Sequence, residues 1–166
     1  MIGFETSVSI ARPIEDVFAF VSDPLHFPRW NAAVQSVRTT AGRAAEVGST
    51  YSMERELPSG RARNELEILA HERPSEFGIR TTSGPTPFVY RYRFSSGRAG
   101  TLIQLDGSVE LPPAASLLAP LAARAVKRGV DTNLAALKRT LEAPPGTSRA
   151  DAGRTADQPN PEEPLR

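Results

Sequence analysis

The stretch FETSVSIARPIEDVFAFVSDPLHFPRWN, Phe4 to Asn31, decides the fold. It opens in strict alternation, with Phe4, Thr6, Val8 and Ile10 on one side and Glu5, Ser7 and Ser9 on the other. Period two marks a half-buried strand. Pro13 follows at a natural N1 position, with Glu15 and Asp16 in the first turn, where the helix dipole favours anions. Ile14, Val17, Phe18 and Val21 recur at helical spacing, so a short amphipathic helix comes next. Asp23-Pro24 stops it and caps a second, shorter helix, which Pro28 ends. The stretch also holds the chain's only tryptophan, Trp30, and one of its two histidines, His26. Rare residues gathered together invite an active-site reading. The pattern favours another: Trp30, with Phe27 beside it, plugs the end of the core and walls a cavity mouth. His26 is the one acid–base group here, and a surface position is its simpler reading.

Beyond Asn31 the period returns to two. Strands are expected over residues 34–40, 49–57, 63–73, 77–82, 88–95 and 101–111. Their separators, among them ELPSGRAR, ERPSEF, TSGPTP and SSGRAGT, are turn-like, and short links make antiparallel neighbours. Pro112-Pro113 ends the last strand, and a long helix is expected over 114–141. Its apolar stripe is read as Leu118, Leu121, Ala125, Val126, Gly129, Val130, Asn133, Leu134, Leu137 and Leu141. The order is strand, two short helices, six more strands, long helix. That is an α+β architecture, one curved antiparallel sheet wrapped around a long C-terminal helix. From Ala143 the sequence reads APPGTSRADAGRTADQPNPEEPLR. Such a segment cannot bury enough apolar surface to offset its ordering entropy. A domain over residues 1–142 and a disordered tail over 143–166 are therefore expected.

Composition narrows the function. The 166 residues are 39% apolar and 23% charged, and the net charge of +1 predicts no electrostatic hold on nucleic acid. With no cysteine, disulfides, thiolate catalysis and cysteine-based metal sites are excluded. No apolar run approaches a membrane span, and the N-terminus lacks the basic and apolar regions of a signal peptide. A cytoplasmic protein without an integral membrane segment is expected, as a monomer or homodimer. HExxH, a P-loop, a nucleotide-binding GxGxxG, GxSxG and an EF-hand loop are all absent. His26 and His71 lie too far apart in sequence to suggest a metal site, so neither metal nor cofactor is expected. Alternation on its strand gives His71 an exposed position beside Glu67.

The interior faces raise the question of a cavity. In FVYRYRF, Phe88, Tyr90, Tyr92 and Phe94 share one face, and Val89, Arg91 and Arg93 the other. The aromatic face is the interior one, since arginines are almost never buried unpaired. Arg91 and Arg93 can pair across the outer face with acids such as Asp106. A buried tyrosine needs a partner for its hydroxyl, which is a backbone group or water in a solid core and can be a ligand in a cavity. Tyr51 and Met53 share a face with Arg55, which would then be an inward cation without an obvious acid. Gly129 and Asn133 fall on the stripe of the long helix. A helical glycine costs about 1 kcal/mol, so Gly129 either permits close helix–sheet packing or leaves room for a ligand. The candidate ligand-binding residues are Phe27, Trp30, Tyr51, Met53, Arg55, Phe88, Tyr90, Tyr92, Phe94, Gly129 and Asn133.

The opening stretch, AAEVGSTYSM at the third strand and the strand-Pro-Pro-long-helix ending together resemble the SRPBCC superfamily. This is the START and birch-pollen-allergen-like helix-grip fold, and the resemblance is closest to its polyketide cyclase/dehydrase and lipid-transport family. It covers roughly residues 3–142. It implies a deep apolar pocket between sheet and C-terminal helix, with its mouth near the short helices and the hairpin loops. It fixes no catalytic residue, because the family's polar groups follow no set motif. Three functions stay open: a carrier or sensor of a hydrophobic small molecule, a cyclase or dehydratase closing rings by aldol-type chemistry, and a protein-interaction module. A cyclase needs a base, and Glu54, Glu56, Glu65 and Glu67 are all expected to point outward.

Overall fold

The computed structural model describes residues 1–43, 45–57, 60–111 and 119–144. Strand β1 (Ile2–Ile10) leads into α1 (Ile14–Val21) and a 3₁₀ turn (Pro24–Arg29). Six strands follow: β2 (Val34–Ala41), β3 (Thr50–Leu57), β4 (Gly60–Glu72), β5 (Glu76–Ser83), β6 (Phe88–Gly97) and β7 (Gly100–Val109). Helix α2 (Ala119–Glu142) completes the described chain. The strands form one antiparallel sheet in the order β1-β7-β6-β5-β4-β3-β2. The α+β sheet-and-helix architecture expected from the sequence is thus present. Pro112-Pro113, Leu118 and the tail beyond residue 144 lie outside the described residues.

The opening stretch folds much as its pattern dictates. Pro13 occupies the N-cap of α1, one position earlier than expected, with Glu15 and Asp16 in the first turn. The Asp23 carboxylate accepts the Leu25 N–H at 3.0 Å and so starts the 3₁₀ turn. Pro28 lies inside that turn and does not end it. The turn needs few internal donors, so a missing N–H is tolerated. The Trp30 and Asn31 amides both donate to the Phe27 carbonyl. This fold-back sets the indole edge-on against Phe27, ring centres 5.4 Å apart, and leaves Trp30 buried.

The sheet separates its two faces sharply. Outside, Arg63 pairs with Glu54, Arg80 with Glu67 and Arg93 with Asp106 at 2.7–3.0 Å. Arg91 reaches Glu76 on β5 at 3.3 Å and not an acid of β7. Inside, Leu66, Ile68, Phe77, Ile79, Ile103 and Leu105 are fully or almost fully buried. One row crosses three strands: Phe4 on β1 faces Gly107 on β7, which faces Tyr90 on β6. The Phe4 ring lies over Gly107, where an added Cβ would come within 2.3 Å of it. Only glycine lets the ring cross the strand and meet Tyr90 edge-on at 5.9 Å.

Helix α2 runs along β1 and is tied to it by polar contacts. Thr6 donates to Asp131 at 2.5 Å, Lys138 donates to the Ser9 carbonyl at 2.7 Å, and Glu142 accepts the Ala11 N–H at 2.7 Å. Its buried residues are Val130, Leu134 and Leu137. Leu121, Ala125 and Gly129 are exposed, contrary to the stripe expected from the sequence. At 3.6 residues per turn they rotate away from the line through Val126, Val130, Asn133 and Leu137, so that stripe is drawn too wide.

Trp30→Ala is expected to cost about 3–5 kcal/mol, the range for removing a large core aromatic. Urea denaturation followed by far-UV circular dichroism measures it, and a loss below about 1 kcal/mol would show that Trp30 does not seal the core.

Candidate ligand cavity

Between the inner sheet face and α2 the chain encloses a cavity of about 60 Å³. Phe88, Tyr90 and Tyr92 reach it from β6, Met53 and Arg55 from β3, and Leu105 from β7. Phe27, Trp30 and Asn31 close the end formed by the 3₁₀ turn, and Val130, Asn133 and Leu134 form the helix side. Strand alternation explains the sheet residues, since every second side chain of β3 and β6 points inward. The volume leaves room for a few waters, far below the roughly 300–1,000 Å³ of a typical small-molecule pocket. The deep pocket implied by the family resemblance is here a small one, because aromatic rings fill the space. Phe88 stacks on Tyr90 at 4.5 Å, and Tyr92 stacks on Phe77 at 5.8 Å.

Phe27, Trp30, Met53, Arg55, Phe88, Tyr90, Tyr92 and Asn133 therefore converge on one cavity. Tyr51, Phe94 and Gly129 do not line it. Tyr51 is fully buried, and its hydroxyl accepts the Ala45 N–H at 2.8 Å, so it serves the loop between β2 and β3. Phe94 lies farther along β6, edge-on to Phe18 of α1 at 5.1 Å. Gly129 is exposed, and an added Cβ would meet nothing within 4 Å, which leaves it no part in helix–sheet packing. Asn31, Leu105, Val130 and Leu134 were not among the sequence candidates. Alternation and helix phase place the last three inside but give no depth. Asn31 carries only the Trp-Asn pairing as a signal, and its Oδ1 accepts the Ala33 N–H at 3.2 Å.

Of the polar groups on the cavity, Arg55 and Trp30 can only donate, while Tyr90, Tyr92, Asn31 and Asn133 can donate and accept. Arg55 donates through Nη2 to the Pro85 carbonyl at 2.9 Å, an oxygen that also accepts from Asn64 at 2.8 Å. Its Nε is buried and unpartnered among the described residues, as is Trp30 Nε1. Burial lowers the Arg55 pKa, with Tyr90 acting in the opposite sense, and a guanidinium remains charged at neutral pH. Burial pushes the Tyr90 hydroxyl up to about 12 and Arg55 opposes it. Burial, and secondly Tyr90, raise Tyr92 well above the usual phenol range. Both hydroxyls stay protonated at neutral pH. Among the described residues the lining holds no carboxylate and no imidazole. Glu54 and Glu67 pair with outer arginines, and Glu65 accepts from the Ser52 hydroxyl at 3.0 Å. His26 donates through Nδ1 to the Phe20 carbonyl at 3.0 Å and stacks on the Phe20 ring, away from the cavity. Among the described residues no cluster of three or more His, Asp or Glu could hold a metal ion.

The sequence profile of the family described as polyketide cyclase/dehydrase and lipid transport matches residues 1–142. The chain belongs to this family. Solved structures carry the same fold. A START superfamily protein from Mycobacterium smegmatis aligns with a TM-score of 0.70 at 18% identity, covering 86% of this chain and 98% of that one. The di-domain ARO/CYC protein StfQ of the steffimycin biosynthetic pathway aligns at 0.69 and 14%, covering 85% of this chain and 50% of its own. Major latex-like protein 151 of Panax ginseng aligns at 0.65 and 12%, covering 85% and 97%. At these identities the polyketide cyclase/dehydrase-family chain shares a fold with them. No curated protein matches it in sequence. No helix among its described residues is long and apolar enough to cross a membrane.

One histidine of this family member departs from its sequence reading. The pairing of β4 with β5 shifts register between Ile68 and Ala70. Such a bulge advances the pleat by one residue and turns His71 inward. Its ring meets Phe18 and Phe77 edge-on, and Nε2 lies 3.2 Å from the Ser22 hydroxyl. Burial, and secondly the charge of Arg73, lower its pKa below 6.5. The folded state therefore prefers the neutral ring. That contribution to stability is present above pH 6.5 and is lost as pH falls through the lower folded value. Melting temperatures should fall on acidification below pH 6.5, and His71→Gln should flatten the fall. An unchanged slope in the variant would assign the acid sensitivity to other groups.

Proposed function

We propose that this protein binds an apolar or aromatic small molecule in the cavity between β3, β6, β7 and α2, as a carrier or sensor. The observation that carries this reading is the lining itself. Aromatic and aliphatic side chains form the wall, and a few polar groups converge on it, the usual make-up of a small-molecule site. The family description, which includes lipid transport, supports the same class of ligand. A molecule larger than a few waters needs the lining side chains, the stacked Phe88 and Tyr90 among them, to rearrange.

The ARO/CYC name of StfQ and the family description supply a second reading, catalysis of ring closure. Arg55, Tyr90, Tyr92 and Asn133 could stabilise a developing enolate oxygen. Enolisation also needs a base within reach of the substrate. Among the described residues the lining offers no carboxylate or imidazole, and this favours binding over proton transfer.

Native mass spectrometry of the protein purified from its own host tests the proposal: a co-purifying small molecule is the expected result. No adduct, together with no melting-temperature shift across a panel of apolar and aromatic compounds, would sink it. Tyr90→Phe keeps the stacking on Phe88 and deletes one donor. It is expected to weaken binding of a ligand so identified by about 0.5–1.5 kcal/mol while the melting temperature of the free protein holds. Unchanged affinity by calorimetry would remove Tyr90 as an anchor.

A further inference from the structure

We infer that the cavity's ligand is an apolar acid, a carboxylate whose oxygens seat against Arg55, Trp30 and Tyr90. The inference rests on the binding function proposed above and specifies the polar end of the ligand. It begins with Trp30, which lines the cavity, is only 5% exposed and carries a buried Nε1 that has no partner among the described residues. An indole N–H can only donate. Arg55, which also lines the cavity, has a buried Nε without a partner among the described residues.

The charge balance points the same way. On the outer face Arg63, Arg80, Arg91 and Arg93 each have a carboxylate within 3.3 Å. Arg55 has only the neutral Pro85 carbonyl among the described residues. A half-buried guanidinium without a counter-ion is unfavourable, and a buried donor without an acceptor adds to the cost. Of the two amide oxygens on the lining, Asn31 Oδ1 is already engaged by the Ala33 N–H, which leaves Asn133. An amine would bring further donors, and an alcohol, whose oxygen can accept, would bring no charge for Arg55. A neutral carbonyl supplies an acceptor but no charge. A carboxylate supplies both, with oxygens that only accept and a negative charge for Arg55.

Trp30 is the chain's single tryptophan, so its fluorescence reports the cavity directly. The protein would be titrated at neutral pH with hydrocinnamate, with its methyl ester and with the corresponding alcohol, and calorimetry would supply independent constants. The acid is expected to bind at least about tenfold more tightly than the ester or the alcohol. Arg55→Met, which keeps an apolar stem, should abolish that preference by weakening the acid much more than the ester. Arg93→Met, on the outer face, should leave the preference intact. Ester or alcohol binding equal to that of the acid would overturn the inference while leaving the apolar-binding function standing. So would an acid preference that survives in Arg55→Met. Binding of none of the three would count against both. The wild-type comparison decides the matter even if Arg55→Met fails to fold.

Discussion

The chain's first connection must run from one edge of the sheet to the other. Strands β1 and β2 are neighbours in sequence but stand at opposite ends of the order β1-β7-β6-β5-β4-β3-β2. Six strand spacings of about 4.8 Å put them roughly 29 Å apart on a flat sheet. A curved sheet shortens that path, and α1 and the 3₁₀ turn span the remainder as a packed bridge. Val17, Phe18, Val21, Phe27 and Trp30 are all buried because this bridge lies over the end of the inner face. The DPLHFPRWN segment is thus first a structural strut, with Asp23 starting its turn and the Phe27 carbonyl holding its end. The cavity lies where this strut, the sheet and α2 come together.

That placement explains the character of the cavity. Its walls come from three directions, so no single element can fill it, and the aromatic rings of β6 take up most of the space. Charge is sorted by face. The outer surface pairs its arginines with carboxylates across strands, while Arg55 alone turns inward and leans on a backbone carbonyl. The Pro85 oxygen it uses is shared with Asn64, so the loop between β5 and β6 and the inward cation hold one another in place.

The sheet, its order of elements and the inward faces were legible because alternation and helical spacing are properties of the local sequence. Alternation gives a face but not a depth. Met53 and Arg55 reach the cavity, whereas Tyr51 on the same face is buried beneath the loop between β2 and β3. Phe94 shares a face with Phe88, Tyr90 and Tyr92 but meets α1. Helix phase was legible for Val130 and Leu134 but not for Gly129, Ala125 or Leu121, which lie round the side and back of the helix. His71 was misplaced for another reason. A bulge between Ile68 and Ala70 inverts the pleat, and nothing in the local residue pattern announces it. The size of the cavity is set by how rings from separate strands stack, which no single segment encodes.

The contacts that fasten α2 to β1 have an effect beyond the cavity. An edge strand offers free backbone groups to any passing strand of another molecule. Lys138 occupies the Ser9 carbonyl, Glu142 takes the Ala11 N–H just past the strand, and the helix lies alongside. Side chains of α2 thus occupy backbone groups at the C-terminal end of β1. The opposite edge, β2, is mostly exposed and is guarded only by irregular register with β3 near Val34 and near Thr39. The molecule is therefore asymmetric towards its own copies. Strand-to-strand addition, and the aggregation that can follow from it, is hindered at the end of β1 by side chains of α2 and along β2 by irregular register.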